Sequence, residues 1–285
     1  MSDSERVLNI AHRGFRAIAP ENTLAAARAG LAVGADGWEL DVAASSDGEL
    51  VVIHDDTLVR TTDAAVRFPG RSPWCVYDFS LAELGRLDAG SWFREKDPFG
   101  QVIEGRVSAD ALASYRGEPL PTLRAALDFT KASGWRVNVE IKDASGKGCD
   151  AWIVERTVDL VRELDMIDSV FISSFNHDYL RRCRTAEPRI ALGALVEPGD
   201  SRFPAGLDIA GFLGRLGAGA WHPCLFDLEE STVRTIRAAG FGVNVWTVNN
   251  EDDMRRLADW GVTGMFTDFP DRLGRVLADV AASRG

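Results

Sequence analysis

Gly37-Trp38-Glu39-Leu40-Asp41-Val42 and Leu50-Val51-Val52-Ile53-His54, joined through Asp47-Gly48, decide how this chain folds. Both runs are apolar and short, as strands are. A parallel neighbour requires a crossover of about a dozen residues or more, and the connector is too short for one. Asp47-Gly48 instead signals a two-residue hairpin. With Ser46 opposite Glu49, counting back sets His54 beside Asp41. Register alone then delivers a histidine to the acidic pair, and a one-residue slip would turn it away. Glu39 and Asp41 are two apart on their strand, so both point to one face. Charges on an interior face are costly unless neutralised. A divalent cation and an anionic substrate together would neutralise them.

The same logic extends outward. Strand-like runs occur at 7–12, 38–42, 137–142, 170–174, 190–196, 220–223, 243–248 and 264–267. Amphipathic helical patterns fall at 21–33, 123–133, 150–164, 178–186, 229–239, 251–260 and 272–282. Alternating strands and helices imply a parallel sheet, and eight such strands imply an α/β TIM-type (β/α)8 barrel. The hairpin after strand 2 is an addition to that plan. Residues 56–119 form a long excursion rich in turn residues, with a short helix at 81–87 capped by Ser80 and Glu83. A structureless loop of that length would be unusual, so a small folded insertion capping the barrel mouth is expected. The whole chain, 1–285, reads as one barrel domain.

Composition narrows the partners. Apolar residues make up 46% and charged residues 26% of the 285, ordinary globular usage with ample core. The polar, acidic start and the lack of a long apolar run argue against a signal peptide or a membrane span. Cys75, Cys149, Cys183 and Cys224 are scattered, which suits free thiols in a reducing, cytoplasmic setting. A net charge of −11 repels nucleic-acid backbones and anionic lipid. A small anionic substrate needs only local positive charge. No signal fixes an oligomeric state.

Local charge is available. Ala11-His12-Arg13-Gly14 ends the first strand, where barrels place their chemistry. Arg13 can fork onto phosphate oxygens, and His12 can move a proton near neutral pH. A strand-end histidine satisfied by backbone, beside a surface arginine, is the competing reading. Glu140 and Lys142 repeat the two-residue spacing and can equally be an internal ion pair. Asn22 is read as a helix cap, ahead of a phosphate contact, Trp246 as core filling, and Phe175 as pocket lining or core. His177 and His222 are read as structural.

These pieces, taken in order, carry a resemblance. His12-Arg13-Gly14, Ala19-Pro20-Glu21-Asn22-Thr23, Glu39-x-Asp41, Ser46-Asp47-Gly48 with His54-Asp55, Arg60-Thr61-Thr62, the run from Leu87 to Phe93, Leu120-Pro121-Thr122-Leu123 and Glu140-Ile141-Lys142 resemble the motifs of glycerophosphodiester phosphodiesterases. Ser173-Ser174-Phe175, Val245-Trp246-Thr247-Val248-Asn249 and the run from Gly264 to Pro270 continue them. Singly each is weak; their shared order across nearly the whole chain is specific. The resemblance implies Glu39, Asp41 and Glu140 as ligands of one divalent cation, and His12 and His54 as an acid–base pair. It implies Arg13 and Lys142 as phosphate contacts and Trp246 as a pocket wall. Three carboxylates without sulfur favour Mg²⁺ or Ca²⁺. Three acids, two basic groups, one dication and one phosphodiester balance to zero formal charge.

The implied reaction is metal-dependent hydrolysis of a glycerophosphodiester to sn-glycerol 3-phosphate and an alcohol. The order of the two histidines, and water against the glycerol's own hydroxyl as nucleophile, stay open. A lysophospholipase D-like action on lipid diesters would use the same residues. A silent binding barrel would be marked by loss of one of them, and all are present.

Overall fold

Pairing of the first strand with both a neighbour in sequence and the last strand closes the sheet. In the computed structural model, which describes residues 6–284 except 198, 200–206 and 227, β1 (Leu8–Ala11) lies parallel to β2 (Gly37–Ala44) and to β9 (Gly264–Thr267). The polar start at 1–5 lies outside the described residues. Between them run β4 (Val137–Ile141), β5 (Val170–Ser174), β6 (Ala191–Val196), β7 (Ala220–Pro223) and β8 (Gly242–Val245), each parallel to the next. β3 (Leu50–Val52) pairs antiparallel with β2, and its Val51 also bridges Thr122. The result is a TIM barrel of eight parallel strands with helices between them and a hairpin after the second strand.

Alternation along each strand sorts side chains into two layers. Trp38, Leu40 and Val42 of β2, with Val137, Val139 and Ile141 of β4, face the surrounding helices in the main core. Helix Ile153–Glu163 buries Ile153, Val154, Val158 and Val161 against that face, a stripe at helical spacing. Each such side chain contributes roughly 1.5–3 kcal/mol. Glu39 and Asp41 of β2 and Asn138 and Glu140 of β4 point the other way, into the barrel interior, and all four are polar. A helix at Ile209–Leu216 joins β6 to β7. Its two glycines, Gly211 and Gly214, hid it from a pattern reading; Asp208 caps it by accepting from the Gly211 N–H at 2.8 Å.

The hairpin differs from its predicted form. Val42 pairs with Val52, Ala43 with Val51 and Ala44 with Leu50, one residue off the expected register. The loop has three residues, 46–48, because Ser45 and Glu49 close it: Ser45 N–H donates to Glu49 O at 2.9 Å and Gly48 N–H to Ser45 O at 3.2 Å. Gly48 takes φ +90, which a three-residue hairpin requires at that position. The backbone of Asp41 therefore faces Ile53, whose N–H it accepts at 3.0 Å, rather than His54.

Residues 56–119 build short helices at Ala64–Arg67, Leu81–Leu84, Trp92–Lys96 and Ala109–Ser114. The Ser80/Glu83 capping box is present, on a helix shorter than expected. Leu58, Val76, Phe79 and Leu84 pack on Val51 and Ile53 of the hairpin arm as a second core. Tyr115 Oη donates to Ile18 O at 2.9 Å and Phe99 meets Phe269 edge to face, tying this segment to loops that follow β1 and β9.

One interior position is sterically exacting. A Cβ on Gly193 would lie 2.3 Å from the His222 ring. That ring is buried, near Phe171 and Phe266, with the Asn244 amide at 3.0 Å from Nε2, so it has little room to yield. Gly193→Ala is expected to cost about 1–3 kcal/mol by overpacking. Chemical denaturation would check this; unchanged stability would show that the barrel interior is looser than these contacts imply.

Candidate active site

His12 and Arg13 follow the last residue of β1, and Lys142 and Trp246 follow the last residues of β4 and β8. Together with Glu39, Glu140 and His54 they line a cavity of about 260 Å³. Asp41 is 1% exposed, with a carboxylate oxygen within 4.8 Å of those of Glu39 and Glu140. All eight residues picked out in the sequence thus converge at the carboxyl ends of the strands.

Their placement has local causes. Arg13 adopts φ +54, an uncommon conformation for a side-chain-bearing residue. The turn aims its N–H at Glu39 Oε2, 2.8 Å away, and sets its Nε 3.3 Å from Asp41. Gly14 follows at φ +80, where a Cβ would fall 2.5 Å from the Ala26 backbone, so only glycine fits behind Arg13. His54 arrives despite the shifted register. Even positions of β3 (Leu50, Val52) face the helix-side core, and continued pairing would send His54 there too. The strand stops at Val52, and the freed chain turns the ring into the cavity.

Asn22 corrects a sequence expectation. The helix begins at Leu24, three residues later than its pattern suggests, and Thr23 is its cap, with Oγ1 accepting from Ala26 N–H. Asn22 instead turns inward at φ +58 and donates from Nδ2 to Asp41 Oδ2 at 2.7 Å. His177 contacts Leu195 O through Nε2, and His222 lies wholly inside the barrel, where burial pushes it down to about 3.

Electrostatics follow from crowding. Burial, then Asp41 and Glu140, hold the Glu39 carboxyl well above its ordinary value. Burial also lifts Glu140, against the pull of Lys142 at 2.8 Å. Burial presses Asp41 the same way, but Arg13 and Lys142 outweigh it and keep it ionised. Lys142 loses to burial and gains more from Glu140 and Asp41, so it stays charged. For His12, burial and then Arg13 lower the pKa below 6.5.

Both histidines are backed by carboxylates. His12 Nδ1 lies 2.7 Å from Asp268, and His54 Nδ1 lies 2.7 Å from Asp55. An ionised carboxylate only accepts, so each Nδ1 carries the proton and each Nε2 is left free for chemistry. His12 Nε2 is 4.0 Å from Glu39. Asp55 is held low by its bond to His54 and by Arg60. Arg60 also forks onto Glu21, which takes further contacts from Arg13 and Arg16. Asp268, Asp55, Glu21 and Arg60 lie inside motifs noted in the sequence, yet nothing in their spacing announced these supporting contacts.

Such a site, at the carboxyl ends of eight parallel strands, defines a barrel enzyme. The sequence profile of the Glycerophosphoryl diester phosphodiesterase family matches residues 12–272. A glycerophosphodiester phosphodiesterase of Caldanaerobacter subterraneus subsp. tengcongensis is 35% identical over 94% of this chain and 96% of its own. Among solved structures, a putative glycerophosphoryl diester phosphodiesterase from Silicibacter pomeroyi superimposes with TM-score 0.82 at 28% identity, over 97% of this chain and 95% of that one. An Oleispira antarctica phosphodiesterase, solved with the product sn-glycerol-3-phosphate, gives TM-score 0.77 at 29% identity over 96% of each. The chain belongs to the glycerophosphoryl diester phosphodiesterase family and is a phosphoric diester hydrolase.

Glu21 gives a test of the supporting network. Burial raises its pKa, but Arg60, Arg13 and Arg16 bring it below its ordinary 4.5. A depressed carboxylate contributes stability above the unfolded value, lost as pH falls through the folded one. Glu21→Gln should cost toward the lower end of the about 3–5 kcal/mol seen when buried pairs are broken, because Arg60 is 42% exposed. The gap from wild type should be full above pH 4.5 and shrink below it. Melting curves across pH would show this; a pH-independent gap would contradict it.

Proposed function

We propose that this chain, as one barrel domain with residues 56–119 inserted in it, hydrolyses glycerophosphodiesters to sn-glycerol 3-phosphate and an alcohol with one divalent cation. The carrying observation is the pairing of a three-carboxylate cluster with two fixed cations, Arg13 and Lys142, in one cavity. Three acids against two bases leave one excess negative charge, which Glu39 relieves only by holding a proton above its ordinary range. A dication would replace that proton. An all-oxygen donor set suits Mg²⁺ or Ca²⁺. Glu39, Asp41 and Glu140 would hold it, and when bound it supplies positive charge toward the phosphoryl oxygens.

The remaining roles belong to the side chains. Arg13 and Lys142 are charged over the working pH range and orient the phosphodiester. His12, whose low pKa keeps Nε2 unprotonated, takes the proton from the nucleophilic hydroxyl or water; Asp268 fixes its tautomer. His54, oriented by Asp55, gives a proton to the leaving alcohol oxygen. Trp246 walls the cavity, its Nε1 anchored on His222 O at 2.9 Å.

Release of glycerol 3-phosphate from glycerophosphocholine, glycerophosphoethanolamine and glycerophosphoglycerol would test this reading. Release should stop with EDTA and return with Mg²⁺ or Ca²⁺. His12→Ala and His54→Ala should each lower kcat by about 10²–10⁴-fold with little change in melting temperature. Folded, metal-supplied protein that releases nothing would sink the proposal.

The pH profile is a separate check. A base of lowered pKa stays neutral further into acid, so the acid limb of kcat/KM should fall below pH 6.5. In Asp268→Asn the proton-fixing carboxylate is gone, and the limb should move; some stability should be lost with it, because Asp268 is buried and also meets Arg16 and Asn249. A flat profile between about pH 5 and 9 would exclude the paired-histidine assignment.

A further inference from the structure

On the inner side of the same cavity lie two residues that the mechanism leaves unused. Asn138 stands two positions before Glu140 on β4, so roughly 6–7 Å deeper in the barrel. Its Nδ2 donates to Ser173 Oγ at 2.9 Å, while its Oδ1 is buried without a hydrogen-bond partner. If the amide were turned over, Nδ2 would be the atom left open instead. Asn138 is 1% and Ser173 0% exposed, and both line the cavity. A buried amide with one open end destabilises the free protein relative to an apolar residue of the same shape. It makes sense where a ligand completes it. Leu195 and Phe266 line the same cavity and make its other inner surfaces apolar.

We infer that Asn138 and Ser173 form a specificity subsite for the terminal hydroxyl of the glycerol moiety. This rests on the diesterase reading above and adds an orientation to it. The phosphate is held near the mouth by Arg13 and Lys142, so the glycerol enters the barrel first. The leaving alcohol then faces the insertion side, beside His54. The Asn138 amide and the Ser173 hydroxyl offer an acceptor and a donor, which a free hydroxyl can satisfy and an ester oxygen cannot. The subsite therefore selects deacylated glycerophosphodiesters over lysophospholipids.

The test compares sn-glycero-3-phosphocholine with its analogue in which the terminal hydroxyl is replaced by hydrogen. Wild type should favour the parent by at least about 100-fold in kcat/KM, as sites that pair a buried hydroxyl do. In Asn138→Leu and Ser173→Ala the preference should shrink below about 10-fold, through loss on the parent. Melting of Asn138→Leu should hold or rise, because the open amide is gone; this separates a ligand role from a structural one. Equal cleavage of both substrates by wild type would overturn the inference, leaving an ordered water as the amide's partner. So would variants that lose both substrates in the same proportion. Wild type that cleaves neither, with metal supplied, would instead remove the diesterase reading beneath it.

Discussion

Like-charge repulsion among Glu39, Asp41 and Glu140 is the constraint around which this molecule is arranged. Their oxygens lie within 4.8 Å of one another and all three residues are buried. At an effective dielectric near 20, each ionised pair would repel by at least about 3 kcal/mol. That is a sizeable share of a typical net stability of about 5–15 kcal/mol. The fold tolerates the cluster by bringing charge and dipoles to it. Arg13 is bent into a left-handed turn to reach Asp41, Lys142 bridges to Glu140, and Asn22 leaves the helix end to bond Asp41. The cluster is one that could hold a metal ion.

Further charged groups steady the residues around the cluster. Glu21 is 5% exposed and gathers Arg13, Arg16 and Arg60, while Asp55 and Asp268 each hold a histidine. Without Glu21, the three guanidinium groups would lose their common partner. Asp268 is itself fixed by Asn249, whose Nδ2 donates to it at 2.7 Å. The loops after β1, β3, β8 and β9 are therefore linked by charged and polar contacts, and those after β1 and β3 also share an apolar cluster in which Ile18 and Ala19 pack with Phe93 and Tyr115.

Much of this was visible in the chain because alternation is a strong physical signal. Glu39 with Asp41, and Glu140 with Lys142, share faces by spacing alone, and β-branched runs with intervening amphipathic stretches define the barrel. What spacing cannot show is convergence. Asp268 is 256 positions from His12, and only closure of the barrel sets them 2.7 Å apart. The hairpin register failed for a local reason: Ser45 Oγ accepts from Glu49 N–H and donates to Asp47, lengthening the turn by one residue. His54 was placed correctly by a wrong route, since strand termination restored what the register took away. Helix Ile209–Leu216 was missed because two glycines weaken a helical pattern that tertiary packing nonetheless stabilises.

The pairing of β1 with β9 spans almost the whole sequence, from Leu8 to Gly264. A chain made from its amino end therefore carries β1 with one unsatisfied edge through most of its synthesis. Exposed strand edges are templates for wrong association, and contacts so distant in sequence form slowly. Closure of the barrel must therefore wait until its final strand has emerged.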